Sequence, residues 1–348
     1  MNLKILWILL LITMSSCKSP ENQEQKKWIT ISNRIHYQKL NDFFELKSGK
    51  YLYKIPNSKL PFKKVVLLNA SLVGYFTLLQ KENSIVGISS PEYIYSQNIL
   101  QLIDQKKIIS VGDEAKYDLE KIISLQPDAV FTNYIENFEN TYSLLKKNGI
   151  EVIFIDEYLE EIPLEKSKIV ELFGEFLGCK SKADSVYQTI EKDYYSLSNL
   201  AKKEKIKPVV IANEMYGNLW YMPGGNTVSA HLISDAGANY ILKDNKNSKA
   251  VPMSFEEVFA QAQKAQFWVN IGIYTNKKSL LAINPIYSKL PVFDHGKLFA
   301  ITAKQRDRAN DYFESGVVRA DLVLKDYIKI FHPNLLPNYQ LTFLKELQ

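Results

Sequence analysis

Cysteine and histidine are scarce in this chain, with two and four among 348 residues. Cys17 closes an amino-terminal export segment, which leaves Cys179 without a partner and rules out a disulfide framework. A site for free zinc or manganese needs several imidazoles and carboxylates converging on one ion, and His36, His231, His295 and His332 lie too far apart in the pattern to promise such a cluster. No run of basic residues accompanies the net charge of +5. A nucleic-acid partner is therefore not expected. There is no Gly-x-Ser-x-Gly elbow, no Walker-type loop, no His-Glu-x-x-His and no cysteine beside a histidine, so the usual sequence marks of hydrolases, nucleotidases and metalloproteases are missing.

What is present suits an exported protein of two domains. The hydrophobic fraction is 46% and the charged fraction 23%, ordinary for a globular chain, and the length exceeds what one domain usually needs. Lys4, the apolar run Ile5 to Met14 and the small residues Ser15-Ser16 before Cys17 form an export signal. The run is short for a bilayer span. The pattern resembles a bacterial lipobox, with Met14 where leucine is usual, which implies cleavage after residue 16 and a lipidated Cys17 on the periplasmic side of the envelope. An ordinary secretory signal and an uncleaved anchor are the other readings. Residues 17–60 then read as a polar tether followed by a small β extension, with Ser48-Gly49 turning between strand-like segments. Tyrosine is abundant, at 21 residues. A cleft that grips a large planar ligand would use such side chains, and strands and core would use them too.

The rest is organised around residues 163–206. From Ala183 to Lys205 no glycine or proline intervenes, and Ala183, Val186, Ile190, Tyr194, Leu197 and Ala201 fall on one helical stripe. On either side lies the same grammar of short apolar strands alternating with helices. Residues 61–162 carry Val65 to Leu68, Ile85 to Ile88, Ala129 to Phe131 and Val152 to Ile155; residues 207–335 carry Val209 to Ala212, Phe267 to Val269 and Leu298 to Ile301. Residues 336–348 form a tail. The expected fold is α/β: two doubly wound lobes with mostly parallel sheets, joined by a long rigid α-helix.

In that order and spacing, several segments resemble the helical-backbone (class III) substrate-binding proteins of ABC importers for iron-siderophores, haem or cobalamin. They are Gly87 before Ser89-Ser90, Leu119-Glu120-Lys121-Ile122 with Pro127-Asp128, Gly224-Gly225-Asn226 with Asp235-Ala236-Gly237-Ala238, and Ser254-Phe255-Glu256-Glu257-Val258. The stretch from Asn310 to Arg319 and the end Phe331-His332-Pro333 resemble a variant found in Bacteroidetes lipoproteins. The resemblance implies a monomeric lipoprotein without catalysis or resident cofactor, whose partners are a metal-chelate small molecule and the transmembrane subunits of a permease. It implies that Glu120 and Glu256, with Glu257 a substitute for the second, dock onto permease arginines. Without it both would pass for solvated helix glutamates. It also places ligand contacts in loops at the carboxyl ends of the strands: Pro91, Tyr93, Asn133, Tyr134, Glu214, Tyr216, Tyr274, Arg306, Arg308 and Tyr312, with Trp220 and Tyr221 as a rim. The two arginines would pair with propionates, carboxylates or catecholates, unless they serve surface pairs with Asp307 or Asp311.

Two other functions share the two-lobed plan: a lipoprotein that binds free zinc or manganese, and an enzyme related to tetrapyrrole metal chelatases. The histidine distribution argues against the first. A lipid anchor would be useless to the second.

Overall fold

The computed structural model describes residues 27–113 and 115–348. The export signal and the lipidation expected at Cys17 lie outside the described residues. The extension is a four-stranded antiparallel sheet of β1 (Ile29–Thr30), β2 (Ile35–Lys39), β3 (Phe43–Ser48) and β4 (Tyr51–Pro56). Ser48 faces Tyr51 across a two-residue turn. Gly49, at φ +55°, supplies the left-handed residue that such a turn requires.

The first lobe follows in strict alternation: β5 (Val65–Leu67), α1 (Val73–Leu79), β6 (Ile85–Ile88), α2 (Gln97–Asp104), β7 (Ile109–Ser110), α3 (Leu119–Ser124), β8 (Ala129–Thr132), α4 (Glu139–Lys147) and β9 (Glu151–Phe154). All its pairings are parallel, in the order β7-β6-β5-β8-β9. Every residue of β5 and β8 is buried, as expected for strands covered on both faces. The order of winding reverses between the parallel neighbours β5 and β8, where a doubly wound sheet opens its crevice.

The connecting segment is two helices, α5 (Pro163–Phe176) and α6 (Lys180–Ala201). Gly178, at φ +64°, breaks the helix between them. A Cβ on Gly174 would lie 2.4 Å from that of Ala183, so only glycine lets the two helices cross this closely. Phe173 and Phe176 of α5 pack edge-on and tilted against Phe131 at 5.2 and 5.5 Å, fastening α5 to the first sheet. The strut proper is α6, 22 residues or roughly 33 Å long. Its buried stripe is Ala183, Tyr187, Ile190, Tyr194, Ser198 and Ala201. At its far end Tyr194 donates to Asp235 (2.7 Å), and the helix ends four residues before the expected Lys205.

The second lobe contains β10 (Val209–Ala212), β11 (Met215–Tyr216), β12 (Leu219–Pro223), α7 (Val228–Asp235), β13 (Asn239–Tyr240), β14 (Ala250–Met253), α8 (Phe255–Gln261), β15 (Phe267–Ile271), α9 (Lys277–Ile283), α10 (Pro291–His295) and β16 (Lys297–Ala300). A small hairpin, β17 (Gln305–Arg306) with β18 (Ala309–Asn310), leads to α11 (Ser315–Val318) and α12 (Ala320–Phe331). The tail is no loose end: β19 (Lys345–Glu346) adds an antiparallel edge, giving the order β13-β10-β15-β16-β19. Buried Asp326 holds it there by accepting from Tyr339 Oη (2.7 Å) and from the backbone N–H of Thr342, Phe343 and Leu344. Among the described residues no helix is long and apolar enough to cross a membrane.

Candidate functional site

Four asparagines mark the carboxyl ends of the central strands, two in each lobe. Asn69 and Asn133 follow β5 and β8; Asn213 follows β10, and Asn270 lies near the end of β15. These are the adjacent strands at which each sheet reverses its winding, so the amides stand where a ligand crevice opens. In the first lobe, Asn133 accepts from Asn69 (3.1 Å) and donates to the carbonyl of Ile155 (2.8 Å). Ser71 Oγ donates to Glu157 (2.5 Å), a carboxylate only 2% exposed. Burial pushes the nearby Lys166 ammonium below its usual range, and Glu157 and Glu160 partly offset that.

In the second lobe the two asparagines adopt left-handed backbone, φ +60° at Asn213 and +56° at Asn270. Asparagine tolerates this region better than other non-glycine residues. Asn270 donates to Ser229 Oγ (3.1 Å) and accepts from the buried Tyr327 hydroxyl (2.8 Å). Asn213 donates to the Tyr221 carbonyl (2.9 Å). Around them opens a cavity of about 420 Å³ that Glu214, Tyr216, Tyr312 and Phe313 also line. Glu214 accepts from the Gly272 N–H (2.9 Å); burial raises its pKa, and that bond partly opposes the shift. The phenol of Tyr274 is raised by burial and by the Glu214 charge. Tyr216 is 84% exposed and Phe313 55%, so both offer bare ring surface.

Between α5 and the second lobe, a cavity of about 210 Å³ is lined by Pro163 and Lys166 on one side and Ser229, Leu232, Tyr312 and Phe313 on the other. Beside it the second lobe grips the first. Arg306 donates to the carbonyls of Ile94 and Tyr95 (3.1 and 3.3 Å) and lies 5.7 Å from the Tyr95 ring. Arg308 stacks over Tyr93, 4.5 Å from its centroid, and bonds its hydroxyl. Glu314 accepts from the N–H of Tyr95 (2.8 Å) and Ser96 (3.3 Å); burial pushes its pKa up to about 7, against those bonds.

The sequence-predicted site residues thus separate into groups. Glu214, Tyr216 and Tyr312 line one cavity, with Tyr274 next to Glu214. Asn133 and Tyr134 stand together on the first-lobe face. Tyr93 meets Arg308 in the interlobe brace, and Pro91 starts the short turn Pro91–Tyr93 beneath it. Trp220 is a correction: it is fully buried, donates its indole N–H to the Ala212 carbonyl (2.9 Å) and packs on Trp268 at 5.1 Å. Strand alternation explains it, since β12 turns Trp220 and Met222 inward and Tyr221 outward, leaving Tyr221 alone at the rim. Arg306 is another, because its donors reach first-lobe carbonyls, and it is Lys304 that pairs with Asp311 (3.0 Å). Asn69, Asn213 and Asn270 were missed. Their signal is an asparagine closing an apolar strand, as in Leu68-Asn69, Ala212-Asn213 and Val269-Asn270.

Away from the floor, Glu120 is the second residue of α3 and Glu256 the second of α8, the helices that lead into β8 and β15. These strands hold equivalent places in the two sheets. Both carboxylates are exposed and hold no hydrogen bond or ion pair among the described residues. Glu257 is occupied, accepting from the N–H (2.7 Å) and hydroxyl of Ser254 in a capping box that lowers its pKa.

Comparison with known proteins agrees with this architecture. The chain is 23% identical over 290 residues to an uncharacterized lipoprotein of Methanocaldococcus jannaschii, covering 81% of this chain and 67% of that one. Its fold matches a periplasmic binding protein from Veillonella parvula (TM-score 0.64, 14% identity, 86% of this chain and 98% of that one). It also matches the periplasmic haem-binding protein HutB of Vibrio cholerae (TM-score 0.62, 14% identity, 78% and 99%). The family described as periplasmic binding protein matches residues 65–305, well over half of the sequence, and the chain therefore belongs to that family.

Proposed function

We propose that the protein is the substrate-binding lipoprotein of an ABC importer, which captures a metal chelate between its lobes and delivers it unchanged to the permease. The chelate is an iron-siderophore, haem or a cobalamin. Glu120 and Glu256 carry this reading: two free carboxylates, at the same position of equivalent helices in two lobes, give a two-point grip on cationic sockets. The cleft offers amides, hydroxyls and exposed rings, which suit a bulky amphipathic molecule. A bare ion finds less here, because the histidines are scattered: His36 meets Thr30 in the extension, His332 lies against the Gly237 carbonyl, and His231 and His295 sit on α7 and α10. The likeness to a haem-binding protein points to the same kind of cargo. Lipid on Cys17 would hold the receptor at the envelope membrane.

Intrinsic fluorescence tests this directly. Trp268 donates its indole N–H to the Asn213 carbonyl (2.6 Å) and Trp220 packs on it, so both report from just under the second-lobe cavity. Parallel titration with ferric siderophores, haem and cyanocobalamin should quench or shift this emission for at least one of them at micromolar concentration or below. No response to any, in emission or calorimetry, would defeat the proposal.

A further inference from the structure

The extension lies outside the stretch that matches the family, yet its hairpin tip is fastened to the cleft edge of the first lobe. Ser48 Oγ donates to the Phe154 carbonyl (2.7 Å) and the Phe154 N–H donates to Tyr53 Oη (2.9 Å). The Tyr51 ring packs 4.7 Å from that of Phe154. These contacts hold the β3–β4 tip against the carboxyl end of β9.

There the tip and the lobe enclose an open cavity of about 480 Å³, lined by Arg34, Lys47, Lys50, Tyr51, Tyr134 and Asp156. Tyr134 directly follows Asn133 of the cleft floor, so the cavity continues the first-lobe face. Three cations meet one carboxylate in it, and Asp156 already accepts from the Tyr134 N–H (3.0 Å). The side chains of Arg34, Lys47 and Lys50 form no ion pair among the described residues, although Lys50 lies 4.8 Å from the Tyr134 ring centroid. On the opposite face the cavity around Asn213 and Asn270 holds no lysine or arginine.

We infer that the extension supplies an anion-binding wall of the cleft, in which Arg34, Lys47 and Lys50 take the acidic arms of the cargo, carboxylates or catecholates, while Tyr51, Tyr134 and the exposed Tyr158 hold its planar part. This rests on the proposed receptor function and narrows the cargo to a negatively charged chelate. Cations without an ion pair among the described residues favour such groups, because each contributes a charge-assisted bond without first breaking an internal pair, and Lys50 already lies over the Tyr51 and Tyr134 rings.

The test measures affinity by tryptophan fluorescence and calorimetry for four probes: haem and ferric enterobactin, which are anionic, ferrioxamine B, which is cationic, and cyanocobalamin. It compares wild type, the triple variant Arg34→Gln, Lys47→Gln, Lys50→Gln, and Lys54→Gln, a hairpin lysine outside the cavity. The wild type should prefer an anionic probe. The triple variant should lose about tenfold to a hundredfold in affinity for it, with the loss shrinking at high salt, and Lys54→Gln should change it less than about twofold. Equal affinity in the triple variant, or a wild-type preference for ferrioxamine B or cyanocobalamin, overturns the inference and leaves the receptor reading standing. Binding of none of the four overturns both.

Discussion

The two faces of the cleft are built on one plan and furnished differently. Each presents two asparagines at the switch point of a doubly wound sheet, and each lobe carries one free glutamate at the second position of the helix before the strand beside that switch. The first-lobe face adds three unpaired cations borrowed from the extension; the second adds Glu214, whose charge is discouraged by burial, and the bare rings of Tyr216 and Phe313. On the proposed function, the shared glutamates serve docking on the permease. On the same reading the unshared ones face the cargo, and the asymmetry then sets which way round a ligand with one acidic and one apolar side sits.

The largest effect should come from the shared part. If the proposed function holds, alanine at both Glu120 and Glu256 should reduce uptake in cells by at least about a hundredfold, since each would remove a charge pair with the permease. Ligand affinity of the purified double variant should stay within about twofold. If affinity fell along with uptake, the glutamates would belong to the cleft. The unshared part comes next, through the loss of anionic-probe affinity expected from the triple cation variant.

The asparagines allow a finer comparison. Asn270→Ala removes the Asn270 acceptor of the buried Tyr327 hydroxyl, which keeps Ser229 and Tyr312 beside it, and places alanine at φ +56°, for a combined cost of about 2–3 kcal/mol in chemical denaturation. Asn69→Ala on the other face sits at φ −135° and loses no left-handed backbone, only its cap on Ser71 and its bonds to Asn133 and Glu157, for about 1–2 kcal/mol. A loss of less than about 1 kcal/mol for Asn270→Ala would mean that the left-handed backbone of the second face carries no strain for asparagine to relieve.

How much of this could be read from residues alone follows from the range of the interactions. The lobes were legible because strands covered on both faces read as apolar runs such as Val65-Val66-Leu67, and the strut because its stripe repeats at helical spacing. The two glutamates proposed for docking could be picked out because each sits in a local helix-then-strand signature. Trp220 was misread as part of a rim ahead of Gly224-Gly225, whereas pairing of β12 with β11 and β14 buries it by alternation. Arg306 was misjudged because its partners Ile94 and Tyr95 lie more than 200 residues away. The basic cavity left no linear trace, since Arg34, Lys47 and Tyr134 meet only after the hairpin docks on β9.

Two buried carboxyls join parts of the molecule and are raised alike. Glu160 accepts from Ser32 of the extension (2.8 Å), and Glu314 holds the second lobe to the first; burial raises each from 4.5 to about 7. A folded pKa above the unfolded one means that each contributes stability fully present below pH 4.5 and lost as pH rises through 7. Relative to wild type, Glu160→Gln and Glu314→Gln should therefore each gain roughly 2 kcal/mol between pH 5 and pH 8, read as a flatter dependence of unfolding free energy on pH. A profile that flattens only for Glu314→Gln would confine the effect to the lobe junction.

The smallest expected effect is on overall shape. A helix of 22 residues has no run of free dihedrals at which to bend, α6 is fixed to the second lobe by Tyr194 and Asp235, and Arg306 and Glu314 already bridge to residues 94–96 across the cleft. Closure around cargo should be limited to slight tilting of the lobes, so the radius of gyration from small-angle scattering should barely change when ligand is added. Large compaction would place a hinge at Gly178, where α5 and α6 meet, and the first-lobe face would then travel to the ligand instead of waiting for it.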